Sequence, residues 1–164
     1  MQIGILSDTH NNSENLQAAL QIFKQKSIRI LFHCGDVTRV EIAPLLAEFR
    51  VIYLAGNGDV LWGEIRQSLL QMNSESFGGL VYRGEIDGVK IAASHGHMEG
   101  AVDGLAGSGE YDYVFCGHSH RHKDVQVGKT RIINPGALGG LKAEPRSICI
   151  LELSSGLAEF VTLP

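Results

Sequence analysis

Hydrophobic positions fall along this chain in short runs, and five of the runs give way to a polar turn containing aspartate, asparagine or histidine. Ile28-Arg29-Ile30-Leu31-Phe32 leads into His33-Cys34-Gly35-Asp36, and Ile3-Gly4-Ile5-Leu6 leads into Ser7-Asp8-Thr9-His10. Val51 to Leu54 runs into Gly56-Asn57-Gly58-Asp59, Val89 to Ala93 into Ser94-His95-Gly96-His97, and Tyr113 to Cys116 into Gly117-His118-Ser119-His120. Buried strands of an open α/β sheet present ligand-binding groups in this manner, just outside their carboxyl ends.

Between the first runs the apolar spacing changes to that of helices. Ser13-Glu14-Asn15-Leu16 opens one, with Leu16, Ala19, Leu20 and Phe23 on a single face. Glu41 to Phe49 predicts a second, with Ile42, Leu45, Leu46 and Phe49 inward, and Leu61 to Met72 a third. A β-α-β-α-β opening implies parallel strands with right-handed crossovers, which gathers the turns bearing Asp8, Asp36 and Asn57 at one edge. The second half reads as hairpins around Asp87-Gly88, Gly128-Lys129 and Ser154-Ser155-Gly156, with one helix between Glu99 and Ala106. No repeat or linker divides the chain, so residues 1–164 are expected to form a single domain.

Composition narrows the setting. Cys34, Cys116 and Cys149 lie in apolar runs, are odd in number and form no Cys-x-x-Cys pair, which predicts core packing in a reducing cytoplasm. No apolar run approaches the roughly 18 residues of a membrane span. A formal charge of −4 without a basic cluster argues against long nucleic acid as a partner, while small nucleotides remain compatible. Self-association is left open by the sequence.

The chemistry concentrates at the strand ends. Asp8 and His10, like His118 and His120, are two residues apart, a spacing that on extended chain turns both side chains the same way and lets each pair grip one ion. With Asp36, Asn57 and His95 they make seven candidate ligands of mixed oxygen and imidazole type, suited to Mn²⁺, Fe²⁺, Zn²⁺ or Ni²⁺. Seven exceed one tetrahedral ion, so two ions sharing Asp36 are expected.

Taken in order, Asp8-Thr9-His10, Gly35-Asp36, Gly56-Asn57, His95 and Gly117-His118-Ser119-His120 resemble the motifs of the calcineurin-like metallophosphoesterases. Asn134-Pro135-Gly136 and the short length look like the compact bacterial and archaeal phosphodiesterase branch, to whose fold the retromer subunit is similar. The resemblance implies a four-layer α/β/β/α sandwich of two mixed sheets flanked by helices, with a metal centre at the strand C-terminal edges. It further implies one ion on Asp8, His10, Asp36 and His120 and another on Asp36, Asn57, His95 and His118. The implied cofactors are two divalent transition-metal ions, Mn²⁺ first with Ni²⁺, Fe²⁺ or Zn²⁺ as alternatives. The implied activity is hydrolysis of small phosphodiesters by a hydroxide activated between the ions.

One departure from the family pattern bears on substrate. A histidine often follows the motif asparagine and protonates the leaving alkoxide, and here that place is Gly58, with Asp59 retained. General acid catalysis is worth roughly 10²–10⁴ in rate, so diesters and activated leaving groups are expected over alkyl monoesters. Asp36 and Asn57 are expected to serve catalysis as well as ligation, and His97 is a candidate acid or phosphate contact. The alternatives are a non-catalytic protein-interaction scaffold of the same fold and a phosphomonoesterase or protein phosphatase. His33 reads as a satisfied strand histidine, His122 as a solvated strand start, and Gly128-Lys129-Thr130 as a hairpin turn rather than a phosphate-binding loop.

Overall fold

The computed structural model describes residues 1–141 and 144–163. Strands β1 (Gln2–Leu6), β2 (Ile30–His33), β3 (Arg50–Leu54) and β4 (Phe77–Gly79) run parallel to one another. The hairpin β5 (Val81–Ile86) and β6 (Val89–Ser94) precedes β7 (Tyr113–Phe115), and a second hairpin joins β8 (His122–Val127) to β9 (Thr130–Pro135). A third, β10 (Ser147–Glu152) with β11 (Leu157–Thr162), returns to the first sheet by pairing antiparallel with β1. The sheet orders are β11-β10-β1-β2-β3-β4 and β5-β6-β7-β9-β8, and within the second β6, β7 and β9 are parallel. All three expected hairpin turns are found, each with its glycine at positive φ: Gly88, Gly128 and Gly156.

Three apolar clusters separate four layers. Leu16, Leu20 and Phe23 of helix α1 (Ser13–Gln25) and Ile65 and Leu69 of α2 (Trp62–Met72) pack with Leu6, Leu31, Val51 and Tyr53 on the outer face of the first sheet. Ile3, Ile5, Phe32, Ile52 and Leu54 meet Tyr82, Ile91, Phe115 and Ile133 between the sheets. Leu105 and Ala106 of α3 (Ala101–Gly107) cover Ala92, Val114 and Ile132 on the far side. This is the expected α/β/β/α sandwich. Each large side chain buried in it contributes about 1.5–3 kcal/mol. Among the described residues no helix is long and apolar enough to cross a membrane.

Local chemistry explains where the elements start and where the expected ones change. Asn12, one residue ahead of Ser13, caps α1 by accepting the amide of Asn15 at 3.0 Å. The helix expected over Glu41–Phe49 forms instead as a 3₁₀ helix, Val40–Leu46, because Pro44 within it has no amide to donate and its ring crowds the preceding turn. Its inward face survives: Ile42, Leu46 and Phe49 are buried and Leu45 is partly so. Strand β4 has no counterpart in the expected elements, since Phe77-Gly78-Gly79 lacks an apolar run; it forms by pairing with β3. The three cysteines are buried free thiols. Burial pushes Cys116 up to about 11 and Cys149 up to about 12, so neither serves as a thiolate ligand.

Candidate metal centre

The donor residues meet where β1, β2 and β3 of one sheet and β6 and β7 of the other come to their carboxyl ends. The Asp8 and Asp36 turns are joined directly, as the Asp8 amide donates to the Gly35 carbonyl and the His10 amide to the Asp36 carbonyl, both at 2.9 Å. Extended backbone is not what brings the side chains together. Asp8, His10 and Asn11 have φ of 53°, 44° and 60°, and His118 and His120 have 65° and 59°, so left-handed residues flank Thr9 and Ser119 and neither motif is extended chain. Such φ values cost non-glycine residues of order 1–3 kcal/mol each and persist where surrounding bonds fix them. The two pairs differ: Asp8 and His10 reach one set of donors together, whereas His118 and His120 turn to different neighbours, and for that pair the expectation of a single shared ion is corrected.

His120 Nε2 lies 3.2 Å from Asp8 Oδ1 and 3.2 Å from His10 Nε2, and His10 Nε2 lies 3.5 Å from Asp36 Oδ2. On the other side of the same carboxylate, Asp36 Oδ1 lies 3.6 Å from His95 Nε2. Asp36 thus faces two histidine groups with its two oxygens. Asp8, His10 and His120 form one tight set of donors, and Asp8, Asp36 and His95 form a second. Asp8 belongs to both, whereas the family pattern implies it for one ion only. His118 stands outside both sets, with its ring 5.1 Å from that of His95. Asn57 is exposed and is tied to the cluster through its neighbour Gly58, whose amide donates to Asp36 Oδ1 at 2.7 Å. The His97 ring is 5.4 Å from His95 and 6.4 Å from His118.

Hydrogen bonds behind the donors aim them. Asp8 Oδ2 accepts from the Ser7 hydroxyl at 2.6 Å and the His118 amide at 3.0 Å, leaving Oδ1 toward the cluster. A carbonyl only accepts, so His95 donates Nδ1–H to Cys34 (2.6 Å) and His120 donates Nδ1–H to Leu141 (2.9 Å). Both histidines therefore turn a lone pair on Nε2 toward the cluster. Asp59 is buried and accepts the amides of Asp36 (2.9 Å), Thr38 (2.6 Å) and Gly56 (2.8 Å), pinning the Asp36 turn to the Asn57 turn. Asn134 donates to the Gly117 carbonyl at 2.7 Å and steadies the histidine pair.

His33 is satisfied, as expected, and it also takes part in the scaffold. Its Nδ1 accepts from the Gly35 amide (3.3 Å), so Nε2 carries the proton and donates to Thr9 Oγ1 (2.8 Å), between Asp8 and His10. Burial pushes this histidine down to about 3 and keeps it neutral. His122 is exposed at the start of β8.

The atoms left over describe what the cluster lacks. Asp8 Oδ1 and His95 Nε2 are buried without a hydrogen-bond partner, and two imidazole nitrogens approach to 3.2 Å. Burial raises the Asp8 carboxyl above its ordinary value, partly offset by the Ser7 hydroxyl. Cations between these lone pairs would satisfy the orphaned atoms and compensate the buried carboxylates. The mixed oxygen and imidazole set fits divalent first-row transition metals.

Comparison with known proteins agrees. The family described as the calcineurin-like phosphoesterase superfamily domain matches residues 1–156. Phosphodiesterase MJ0936 of Methanocaldococcus jannaschii is 31% identical over 157 residues, covering 93% of each chain. The solved structure of an archaeal phosphodiesterase is 29% identical with a TM-score of 0.94, covering 99% of this chain and 100% of that one. The fold extends to Vps29 of Entamoeba histolytica, 18% identical over the full length of both chains with a TM-score of 0.73. With its motifs in family order, its four layers matched and its donors gathered at one edge, the chain belongs to the calcineurin-like phosphoesterase superfamily.

Proposed function

We propose that this protein is a metal-dependent phosphodiesterase acting on small phosphodiesters, nucleotides among them, at a two-ion centre. The observation that carries the reading is the double exposure of Asp36, Oδ2 toward His10 and Oδ1 toward His95, beside the orphaned Asp8 Oδ1 and His95 Nε2. One ion would rest on Asp8, His10, Asp36 and His120, and the other on Asp36, Asn57, His95 and His118. Mn²⁺ is the first choice. Held there, such ions would supply Lewis acidity, lowering the pKa of a bound water and drawing charge from the phosphoryl oxygens.

The chain's own groups do the remaining work. Asp59 and Ser7 fix the carboxylates, and the Cys34 and Leu141 carbonyls fix the imidazoles, so the site is organised before substrate arrives. His97 Nδ1 is buried without a partner, and burial lowers the ring's pKa, with the neighbouring His95 and His118 adding to the effect. His97, with that nitrogen unpartnered beside His95 and His118, is the residue proposed to contact a phosphoryl oxygen or to serve as an acid. Gly58 presents no acid, which favours activated leaving groups and diesters.

The decisive test is hydrolysis of a chromogenic diester with and without added Mn²⁺. Metal-stimulated turnover that disappears in Asp36→Asn and His95→Ala supports the reading. Full activity in either variant, or no metal uptake and no hydrolysis in the parent protein, overturns it in favour of a scaffold.

A further inference from the structure

His33 ends β2 opposite Leu6 of β1, and past that pair the two chains continue side by side as turns. The Cys34 amide donates to the Leu6 carbonyl (2.8 Å), the Asp8 amide to Gly35 (2.9 Å), the His10 amide to Asp36 (2.9 Å) and the Asn11 amide to Val37 (3.2 Å). These bonds place the main chain. The directions of the Asp8 and His10 side chains depend further on the backbone around Thr9, where the two neighbours hold φ of 53° and 44°. Left-handed residues of this kind persist only where the segment between them is fixed.

Thr9 is held on two sides. Its carbonyl accepts the Asn12 amide at 2.9 Å, and a Cβ on Gly139 would collide with the same oxygen, so the chain at Gly139 closes that side. On the other side its hydroxyl meets His33 Nε2 at 2.8 Å, across 24 residues of sequence. Both side chains are fully buried, and among the described residues the Thr9 hydroxyl has this partner alone. The imidazole is itself fixed, since the Gly35 amide donates to Nδ1 at 3.3 Å and the ring stands edge-on to Tyr53 with centroids 6.3 Å apart. Removing either partner of such a buried bond strands the other.

Building on the two-ion reading of the site, we propose that His33 and Thr9 form a positioning pair. Through Thr9 the imidazole fixes the angle between Asp8 and His10, which keeps Asp8 Oδ1 and His10 Nε2 in one set with His120. The same ring bonds the Gly35 amide next to Asp36, so one side chain references both carboxylate turns. Neither His33 nor Thr9 belongs to a donor set. Their effect is exerted on the protein before a metal ion arrives, and its loss is read in metal affinity.

The experiment is calorimetric titration of Mn²⁺ into chelator-treated protein, with denaturant unfolding of each metal-free variant alongside. Thr9→Val keeps the shape of the side chain and removes the hydroxyl; it is expected to bind Mn²⁺ about tenfold more weakly, and Thr9→Ser to recover most of the loss. Thr9→Ala, smaller than the native residue, gives the same reading if valine does not fit. His33→Phe is expected to lose about as much, and the double variant Thr9→Val/His33→Phe no more than either alone, because the two residues act as one unit. Unchanged affinity on loss of the hydroxyl, equal weakness in Thr9→Ser, or losses that multiply to about a hundredfold in the double variant overturn the pair. Lower unfolding stability with unaltered affinity also overturns it and assigns the bond to folding alone. A parent protein that takes up no Mn²⁺ overturns the two-ion centre and the pair together. Uptake without diester hydrolysis, with the affinity losses present, keeps the pair and removes the hydrolase.

Discussion

His120 donates its Nδ1–H to the carbonyl of Leu141 at 2.9 Å, and that carbonyl sits in a loop held from behind by Arg146. The Arg146 guanidinium donates to the carbonyls of Gly139 and Gly140, the latter at 2.7 Å, while the Gly139 amide donates to the Asp8 carbonyl at 2.8 Å. Removing groups that orient a metal-bound histidine typically costs 10–100-fold in metal affinity. Arg146→Ala is expected to weaken Mn²⁺ binding by about tenfold in calorimetric titration, with Arg146→Lys recovering part of it. Unaltered binding in Arg146→Ala would free the loop from this role.

Gly117 leaves no room for a side chain. A Cβ there would fall 1.9 Å from Ser7 Oγ and 2.7 Å from Asp8 Oδ2. Displacing Asp8 by even 1 Å is expected to lower diester turnover about 100-fold in Gly117→Ala. Gly104, exposed within α3 with open space around its Cα, is the control: Gly104→Ala should keep activity and stabilise the fold by roughly 0.5–1 kcal/mol in denaturant titration.

Gly58 is a vacancy of a different kind. A Cβ at this position would stand 3.0 Å from Asp36 Oδ1, so any side chain there begins over the Asp36 carboxylate. Gly58→His is expected to flatten the dependence of kcat on leaving-group pKa, raising turnover of alkyl esters relative to nitrophenyl esters by up to about 10². A parallel dependence in both proteins would show that the imidazole does not reach the leaving oxygen.

His33 makes stability depend on pH. Its folded pKa of about 3 lies below the ordinary 6.5, so the unfolded chain binds the proton more readily in acid. The contribution is complete above about pH 6.5 and is lost progressively as pH falls toward 3, at about 1.4 kcal/mol per pH unit and a few kcal/mol in all. Denaturant titrations of metal-free protein from pH 7.5 to 4 are expected to show a shallower fall in His33→Asn. Identical slopes would assign the dependence to other groups.

The sequence displays the parts of this site that lie within single strands and turns. Apolar runs ending in Asp8, Asp36, Asn57, His95 and His118 announce both the parallel sheet and the edge where donors collect, because burial and strand direction leave a local trace. The left-handed φ of His118 and His120 leaves none, so reasoning from extended spacing did not show that these two side chains face different neighbours. Asp59 bonds amides more than twenty residues away at Asp36 and Thr38, and Arg146 acts through a glycine loop on His120 in the turn before β8. Such roles arise from tertiary proximity, and only the presence of Asp59 beside Gly58 hinted at one of them.

Asp8 and Asp36 leave one sheet while His95, His118 and His120 leave the other, and the seam between them is filled by Phe32 edge-on to Phe115, ring centres 4.9 Å apart. The cluster therefore works as a gauge of how the two halves of the sandwich are docked. A slip along that seam too small to expose the interior would still part carboxylates from imidazoles, so a damaged or half-assembled molecule falls silent before it comes undone.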